Sequence, residues 1–181
     1  MKIKGNFKIG QIISLVLYYS LAQYLPVSYN KFLGGVSKKI RYYLVKRIFK
    51  SCGNNVNVER RANFGSGREI EIGDNSGIGI NACIPANTKI GKNVMMGPNC
   101  YILGDNHSFD RTDIPMIQQG VTERKQTIIE DDIWIGRDVT FTPGRTVKTG
   151  SIVGACTLLC KDFPEYSVIG GNPSKLIRSR K

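Results

Sequence analysis

The sequence predicts an all-β fold: a parallel β-helix built from six-residue repeats, with a short N-terminal helical segment and one extruded loop. Three observations support this prediction. A large apolar residue returns at every sixth position through most of residues 51–170, the period is broken by the short irregular run FGSGREIE and by a long segment over residues 103–128, and residues 1–50 show no such period. A short fixed repeat indicates a solenoid, because each unit can bury its apolar side only by stacking on its neighbours.

The N-terminal segment, residues 1–50, is strongly basic. It carries ten Lys or Arg and no Asp or Glu, which accounts for +10 of the formal net charge of +12. Its apolar stretch from Ile9 to Pro26 is broken by polar residues and is marginal for a bilayer span, which needs about 20 residues. We expect the segment to be retained rather than cleaved as a signal peptide. Tyrosines beside basic residues favour a helix pair that lies in a membrane interface or packs on the core. Contact with a membrane surface and packing on the main domain therefore both stay open.

The repeats form two arrays of hexads. Each hexad begins with a large apolar residue, often continues with glycine, then has a polar turn pair and a small or β-branched residue at its fifth position. Asparagine and glycine tolerate the left-handed backbone of a tight corner, so each hexad predicts a short strand followed by a corner. A β-sandwich would instead show alternating runs with turns at roughly 8 to 12 residues. The apolar anchors are Ile72, Ile78, Ile84, Ile90, Met96 and Ile102 in the first array and Ile129, Ile135, Phe141, Val147, Val153 and Leu159 in the second.

The loop between the arrays spans 26 residues, Leu103 to Ile128, and contains His107, the only histidine of the chain. A long loop on a rigid repeat scaffold is usually functional or mobile. Imidazole exchanges protons near neutral pH, which suits a general base. We therefore predict that His107 is catalytic, whereas a lone histidine elsewhere would more often be structural.

Composition excludes several classes of protein. The five cysteines are odd in number and form no CxxC pair, so neither a disulfide framework nor a zinc site is expected, and a reducing cytoplasm is favoured. One histidine cannot supply the ligands of a zinc-dependent carbonic anhydrase of this repeat type. The basic charge comes without a nucleic-acid-binding motif, so no nucleic acid partner is expected.

The runs GNNV, IGKNVMMGPN, IIEDDIWIGRDV and CKDFPEYSVIGGNPSKLIR resemble the hexapeptide-repeat acyltransferases over about residues 50–181. The resemblance implies a left-handed β-helix with three hexads per triangular coil, a homotrimer, and acetyl-CoA as donor with no metal. More narrowly, NHSFDRTDIP together with the basic segment is similar to bacterial acetyltransferases of capsule, exopolysaccharide and lipopolysaccharide synthesis. It implies a saccharide acceptor, handled in the cytoplasm or at the inner face of the membrane.

The resemblance also implies an acceptor site around the loop. His107 in NHSFD matches the catalytic histidine of the family, which removes the acceptor proton during direct attack on the thioester. Asn106 and Asp110 flank it and would hold the acceptor or orient the imidazole, or else cap turns of the loop. Asn81, in IGINAC, matches a polar position near the acceptor hydroxyl, although asparagine is also ordinary at a repeat corner.

For the donor, the resemblance implies a groove between neighbouring helices of the trimer. Trp134 would line this groove or close the trimer face, or pack at a corner. Lys161, Lys175 and Arg178 suit the phosphates of coenzyme A, since phosphate recruits clustered basic side chains, while solvated charge is the alternative. The donor-site candidates are Trp134, Arg137, Ala155, Cys160, Lys161, Lys175 and Arg178.

Three residues depart from the usual repeat. Arg145 occupies a fifth hexad position, where an unpaired buried charge would be costly, so it is expected either to turn outward or to bend the coil. Cys156 stands where the family commonly has glycine, and Cys160 where it commonly has threonine. These two departures put donor affinity and acyl preference in question.

The leading functional hypothesis is a CoA-dependent O-acetyltransferase acting on a saccharide hydroxyl. Two alternatives remain: an acetyltransferase for an antibiotic, an amino acid or a sugar-nucleotide amine, and a non-catalytic β-helix scaffold. Binding of coenzyme A would argue against the scaffold. The expected organisation is a basic helical segment over residues 1–50, a β-helix over residues 51–170 and a C-terminal tail over residues 171–181.

Overall fold

The structure is a computed structural model that describes residues 8–181, so residues 1–7 of the predicted basic segment lie outside the described residues. Two helices come first, α1 (Ile9–Ser20) and α2 (Gly34–Ile48), with a short 3-10 turn between them at Ala22–Tyr24. No helix of the described part is long and apolar enough to cross a membrane.

Short strands make up the rest of the chain. Most contain two residues, an outward residue followed by a buried anchor, which is the outcome the hexads predict. The strands are β1 (Ser51–Cys52), β2 (Asn57–Val58), β3 (Glu71–Ile72), β4 (Gly77–Ile78), β5 (Lys89–Ile90), β6 (Met95–Met96), β7 (Tyr101–Ile102), β8 (Ile128–Ile129), β9 (Trp134–Ile135), β10 (Thr140–Phe141), β11 (Thr146–Val147), β12 (Ile152–Val153), β13 (Leu158–Leu159), β14 (Ser167–Gly170) and β15 (Lys175–Ser179).

Parallel pairing stacks the strands into three faces. Ile72 pairs with Ile90 and Ile129 pairs with Val147, a separation of 18 residues in both cases, so one coil consists of three hexads. Face A contains β1, β3, β5, β8 and β11, face B contains β2, β4, β6, β9, β12 and β14, and face C contains β7, β10 and β13. The predicted parallel β-helix is thereby confirmed.

The coil spacing changes at two places. Cys52 pairs with Ile72, a separation of 20 residues, because the irregular run FGSGREIE adds two residues to the first coil. Ile90 pairs with Ile129, a separation of 39 residues, so 21 residues are extruded between these coils. The loop thus leaves the helix without disturbing its register.

The corners explain the polar pairs of the hexads. Asn75, Asn81 and Asn99 have φ angles of 56°, 54° and 59°, in the left-handed region that asparagine tolerates. Glycine at the second hexad position is required by the close approach of neighbouring coils. A Cβ on Gly79 would lie 2.0 Å from the carbonyl oxygen of Gly97 in the next coil, so a side chain there would hold the coils apart.

The helix pair covers the first coil. The Tyr18 hydroxyl donates to the carbonyl of Ala62 at 2.8 Å, and its ring lies 4.6 Å from that of Phe64. Arg41 is fully buried, donates to the carbonyl of Val58 at 2.6 Å and pairs with Glu59 at 3.5 Å. These contacts join the N-terminal segment to the β-helix, and Nη2 of Arg41, which has no hydrogen-bond partner in the described chain, is balanced only by the charge of Glu59.

Arg145 avoids burial by turning towards the corner between faces C and A. Its side chain is 24% exposed, donates to the carbonyl of Cys160 at 3.2 Å and lies 3.7 Å from the carboxylate of Asp162. Of the two expected outcomes, the outward turn is the one found. The last residues also have structure, because β15 pairs antiparallel with β14.

Candidate active site

The extruded loop leaves the β-helix at the corner between faces C and A. Its base is a two-stranded stem, in which Ser108 N donates to Gly120 O at 3.1 Å and Thr122 N donates to Asn106 O at 2.7 Å. His107 and Val121 form the antiparallel bridge between these bonds. The backbone of His107 is therefore fixed although the residue lies in a loop.

The side chain of His107 is exposed, and its imidazole has no hydrogen-bond partner within residues 8–181. The flanking polar residues do not orient the ring in the single chain. Asn106 contributes its backbone to the stem, where its N–H donates to the Thr122 hydroxyl at 3.1 Å. Asp110 is exposed and likewise makes no hydrogen bond to the described residues. Both ring nitrogens of His107 are thus open to a ligand or to another chain.

Polar contacts hold the rest of the loop. Arg111 pairs with Asp113, and the Gln119 side chain donates to the carbonyl of Ile114 at 3.1 Å. At the base, Arg124 donates to Asp105 at 2.9 Å and Gln126 donates to the carbonyl of Asn87 at 2.9 Å. These bonds fix where the loop leaves and rejoins the helix.

One side of the loop is apolar and uncovered. Phe109, Ile117 and Val121 are 62%, 84% and 61% exposed. Neighbouring apolar side chains with this exposure are unusual in an isolated soluble surface and indicate a contact with another molecule. His107 lies on the same loop.

Asn81 lies at the opposite edge of face C, on the corner between faces B and C. Its side chain donates to Asn99 at 3.0 Å, and Asn99 donates to Asp138 at 2.8 Å. This ladder of corner side chains gives Asn81 a structural role. It leaves the acceptor role of Asn81 as a prediction.

The donor candidates lie at several places on the surface. Trp134 points outward from face B, is 53% exposed, and stands in register between Met95 and Ile152. Arg137 and Ala155 are exposed at the corner between faces B and C, where Arg137 donates to Asp138 at 2.8 Å. Lys175 and Arg178 are exposed on β15.

Cys160 and Lys161 lie at the corner between faces C and A, two coils beyond the loop. The Cys160 thiol is 3.4 Å from the Ser174 hydroxyl, and hydrogen bonding with Ser174 lowers the pKa of this thiol below its ordinary value. The Lys161 ammonium lies 5.5 Å from the centre of the Phe163 ring. Along a single chain, then, the predicted donor and acceptor residues are distributed over two corners and one face.

A cleft that sequence reasoning did not predict opens on face B. It has a volume of about 380 Å³ and lies between the outward residues of β2, β4 and β6 and the N-terminal segment. Asn57 contributes a buried side-chain oxygen that has no hydrogen-bond partner in the described chain. Gly77 lies beside Asn57, and Met95 separates the cleft from Trp134. The sequence feature that could have predicted this cleft is the pair of outward residues Asn57 and Gly77, one polar and one small, in two successive coils.

Comparison with known proteins agrees with this architecture. A family model described as bacterial transferase hexapeptide (six repeats) matches residues 69–104. The chain is 31% identical over 140 residues to the galactoside O-acetyltransferase of Escherichia coli K12, covering 76% of this chain and 68% of that protein. It is 30% identical over 139 residues to the galactoside O-acetyltransferase of Lactococcus lactis, covering 75% and 65%.

This chain belongs to the hexapeptide-repeat acetyltransferases. A solved hexapeptide-repeat acetyltransferase from Vibrio cholerae superposes with a TM-score of 0.76 at 26% identity, covering 95% of this chain and 91% of that one. The complex of that Vibrio protein with acetyl coenzyme A superposes with a TM-score of 0.71 at 27% identity, covering 95% and 85%. Membership of the family confirms the predicted acyltransferase, and the Vibrio complex agrees with acetyl-CoA as the donor.

Metal ligands are not gathered anywhere in residues 8–181, where no three His, Cys, Asp or Glu side chains are placed to hold an ion.

Proposed function

We propose that this acetyltransferase transfers the acetyl group of acetyl-CoA to a hydroxyl of a saccharide, with His107 as general base. The observation that supports this most is an exposed, unpartnered imidazole on a backbone fixed by the stem of the loop. A base held this way can meet an incoming hydroxyl without first breaking a bond within the protein. The saccharide is supported by the galactoside O-acetyltransferases among the relatives.

The proposed reaction is a single displacement through a tetrahedral intermediate. The imidazole of His107 removes the proton of the acceptor hydroxyl while its oxygen attacks the thioester carbonyl. Collapse of the intermediate forms the acetyl ester and releases coenzyme A as a thiolate. The imidazolium then returns the proton to the sulfur, so the protein ends unchanged.

A homotrimer, with one active site between each two copies, would bring the donor candidates of one copy close to His107 of another. The exposed loop residues Phe109, Ile117 and Val121 supply a contact surface, and Trp134 lies on face B, away from the corner at which its own chain's loop leaves the helix. Placing the loop of one copy against face B of the next would bring His107 towards Trp134. Arg137, Lys161, Lys175 and Arg178 would meet the phosphates of the donor, with Ala155 and Cys160 along the pantetheine arm.

The acceptor would occupy the cleft on face B and the space before the loop. Sugar rings need polar groups for their hydroxyls and an apolar wall for their carbon face, and the cleft offers Asn57 and Met95 for these purposes. Asn81, Asn106 and Asp110 are the further acceptor candidates near the reacting hydroxyl. A capsule, exopolysaccharide or lipopolysaccharide precursor is the acceptor class that the sequence resemblance supports.

The test is turnover of acetyl-CoA, measured as release of free thiol, with a panel of saccharides for the wild type, His107→Ala and His107→Gln. Removal of a general base should lower the turnover number by a factor of about 10² to 10⁴. Calorimetry should show that both variants still bind coenzyme A. Full activity of both variants would remove His107 from the mechanism.

The same panel includes an aminoglycoside-type antibiotic, free serine and an amino sugar nucleotide as acceptors. Faster turnover of one of these than of every saccharide would replace the saccharide assignment. A wild-type protein that neither binds coenzyme A nor releases thiol would support the scaffold instead.

A further inference from the structure

The first helix, α1, presents polar side chains to the β-helix and aliphatic side chains to the outside. Its inward side carries Ser14 and Tyr18, which are 4% and 0% exposed. Its outward side carries Ile9, Ile13 and Val16, which are 77%, 54% and 59% exposed. A helix on the surface of a soluble domain normally buries its aliphatic side, so the arrangement needs another partner on the outside.

The exposed apolar residues continue beyond α1. Phe32 in the linker is 91% exposed, and Val36 and Tyr43 on α2 are 55% and 57% exposed. Since α1 and α2 pack side by side, their outward residues form one surface at the first-coil end of the β-helix. We call this surface the outer apolar face and define it by Ile9, Ile13, Val16, Phe32, Val36 and Tyr43.

Positive charge accompanies the outer apolar face. Residues 8–50 contain no Asp or Glu, and Lys8, Lys31 and Lys39 are exposed there. Within the described residues, none of these three lysines forms an ion pair. Elsewhere on the molecule, acidic and basic side chains alternate and pair, as Lys148 does with Glu130 at 3.0 Å. The face is thus both apolar and uniformly basic.

This combination selects among partners by charge. A second copy of the chain would bring the same lysines against each other, which is repulsive. An anionic bilayer accepts aliphatic side chains below its headgroups and ammonium groups at the headgroup level. Tyr43 of this face is exposed, and tyrosine is enriched at the headgroup level of a bilayer.

The length of α1 fixes how it would meet a bilayer. Twelve residues of α-helix extend about 18 Å, whereas the hydrocarbon layer is about 30 Å thick. The apolar stripe also runs along one side of the helix rather than around it. A helix of this kind lies in the plane of the interface.

We propose that the outer apolar face binds the surface of a bilayer that contains anionic phospholipids, with α1 lying in the interface. The inner side of the helix pair stays attached to the first coil through Tyr18 and Arg41, so the whole β-helix is held at that surface. This inference does not rest on the proposed acceptor, because it concerns a surface that none of the candidate site residues forms.

Flotation of the purified full-length protein with vesicles tests the proposal. One set of vesicles contains phosphatidylcholine alone and the other contains phosphatidylcholine with phosphatidylglycerol. We expect flotation only with the anionic vesicles and weaker flotation at high salt, since salt screens the lysines. No flotation with the anionic vesicles, or equal flotation with both sets, would overturn the proposal.

Variants separate the two parts of the face. Ile13→Gln with Val16→Gln removes apolar contact, and Lys31→Glu with Lys39→Glu reverses charge. Each pair should lower the vesicle partition coefficient at least about tenfold, while Ile177→Gln, an exposed apolar residue on β15, should not change it.

Two further measurements exclude misfolding and self-association. Thiol release with a soluble acceptor should be unchanged in both double variants, because the substituted residues are exposed and none of them lines the cleft on face B or belongs to the other candidate site residues. The molar mass in solution should also be unchanged. A smaller assembly in the Ile13 and Val16 variant would identify the face as a contact between copies and contradict the lipid proposal.

Discussion

At the scale of single residues, Cys156 is the clearest departure from what its backbone requires. It occupies a corner with a φ angle of 60° and is exposed, although a side chain other than that of asparagine or aspartate is unfavourable in the left-handed region. Most equivalent corner positions carry asparagine, aspartate or glycine, and Arg61, with a φ angle of 58°, is another exception. The resemblance to the hexapeptide-repeat acyltransferases marks this position as unusual, because that family commonly has glycine there.

Cys156→Gly should therefore stabilise the protein by about 0.5 to 1 kcal/mol, since glycine adopts this backbone without the steric cost of a Cβ. Thermal unfolding of the assembled protein measures the change. Cys83→Gly is the matched control, because Cys83 lies in an extended bridge where glycine weakens the structure. Equal effects of the two substitutions would contradict the argument from backbone conformation.

A substitution of Gly77 tests whether the cleft on face B binds the acceptor. Its outward position on β4 faces Asn57, and a Cβ there would lie 3.3 Å from the Asn57 carbonyl oxygen, a contact that needs only a small adjustment. Gly77→Val keeps a residue suited to strands and fills part of the cleft. We expect a several-fold rise of the KM for the saccharide with the KM for acetyl-CoA unchanged.

Steady-state kinetics with each substrate varied in turn measure this difference. Unchanged saccharide kinetics in a stable Gly77→Val protein would place the acceptor elsewhere. A rise in both KM values would indicate that the β-helix itself had been distorted.

At the scale of elements, the strands and corners could be predicted because one residue type at a fixed position decides each of them. The anchors are buried, apart from the half-buried Met96, as the six-residue period predicts. The helices could be predicted only as a pair. Which side of α1 faces inward depends on hydrogen bonds from Tyr18 and Tyr19 to the first coil, and hydropathy alone favours the opposite side.

Glu59 connects the helix segment to the first coil. Burial alone would raise its pKa, but hydrogen bonds from Ser28 and Asn57 and the charge of Arg41 hold this pKa below the ordinary value of 4.5. The carboxylate therefore stabilises the folded state at neutral pH, and this contribution is lost as the pH falls through the lowered pKa.

Glu59→Gln should lower the free energy of unfolding by about 2 to 3 kcal/mol near neutral pH, because it leaves the buried guanidinium of Arg41 without its anion. The difference from wild type should shrink as the pH falls through the lowered pKa of Glu59, where the wild-type carboxylate becomes protonated. Urea unfolding over this pH range measures both values. A difference that is independent of pH would mean that the charge of Glu59 does not matter.

At the scale of the whole molecule, assembly is the feature that one chain cannot show by itself. The sequence predicts the loop with its histidine and a set of donor candidates, and in the proposed trimer these residues would converge only through surfaces of two chains. The cleft also escaped prediction, because it forms between the linker after α1 and outward residues of separate coils. Neither feature follows from a local repeat.

The loop supplies a direct test of the proposed trimer. Ile117 is 84% exposed on the apolar side of the loop, and Ile117→Asp would place a charge in the contact between copies. We expect smaller assemblies by light scattering, and loss of acetyl transfer that follows dissociation.

Ile9→Asp, at a similarly exposed residue of α1, is the matched control and should leave assembly and acetyl transfer in solution unchanged. A wild-type protein that is monomeric and fully active would contradict the shared site.

The register across the loop has a consequence for how this molecule can change. Lys89 pairs with Ile128 as if the 21 extra residues between their coils were not there. The stacking of coils is therefore indifferent to the length and content of the insertion, as long as its two ends meet at the corner. Substitutions and length changes near His107 can accumulate with little penalty to folding, so acceptor preference and fold stability are free to evolve separately.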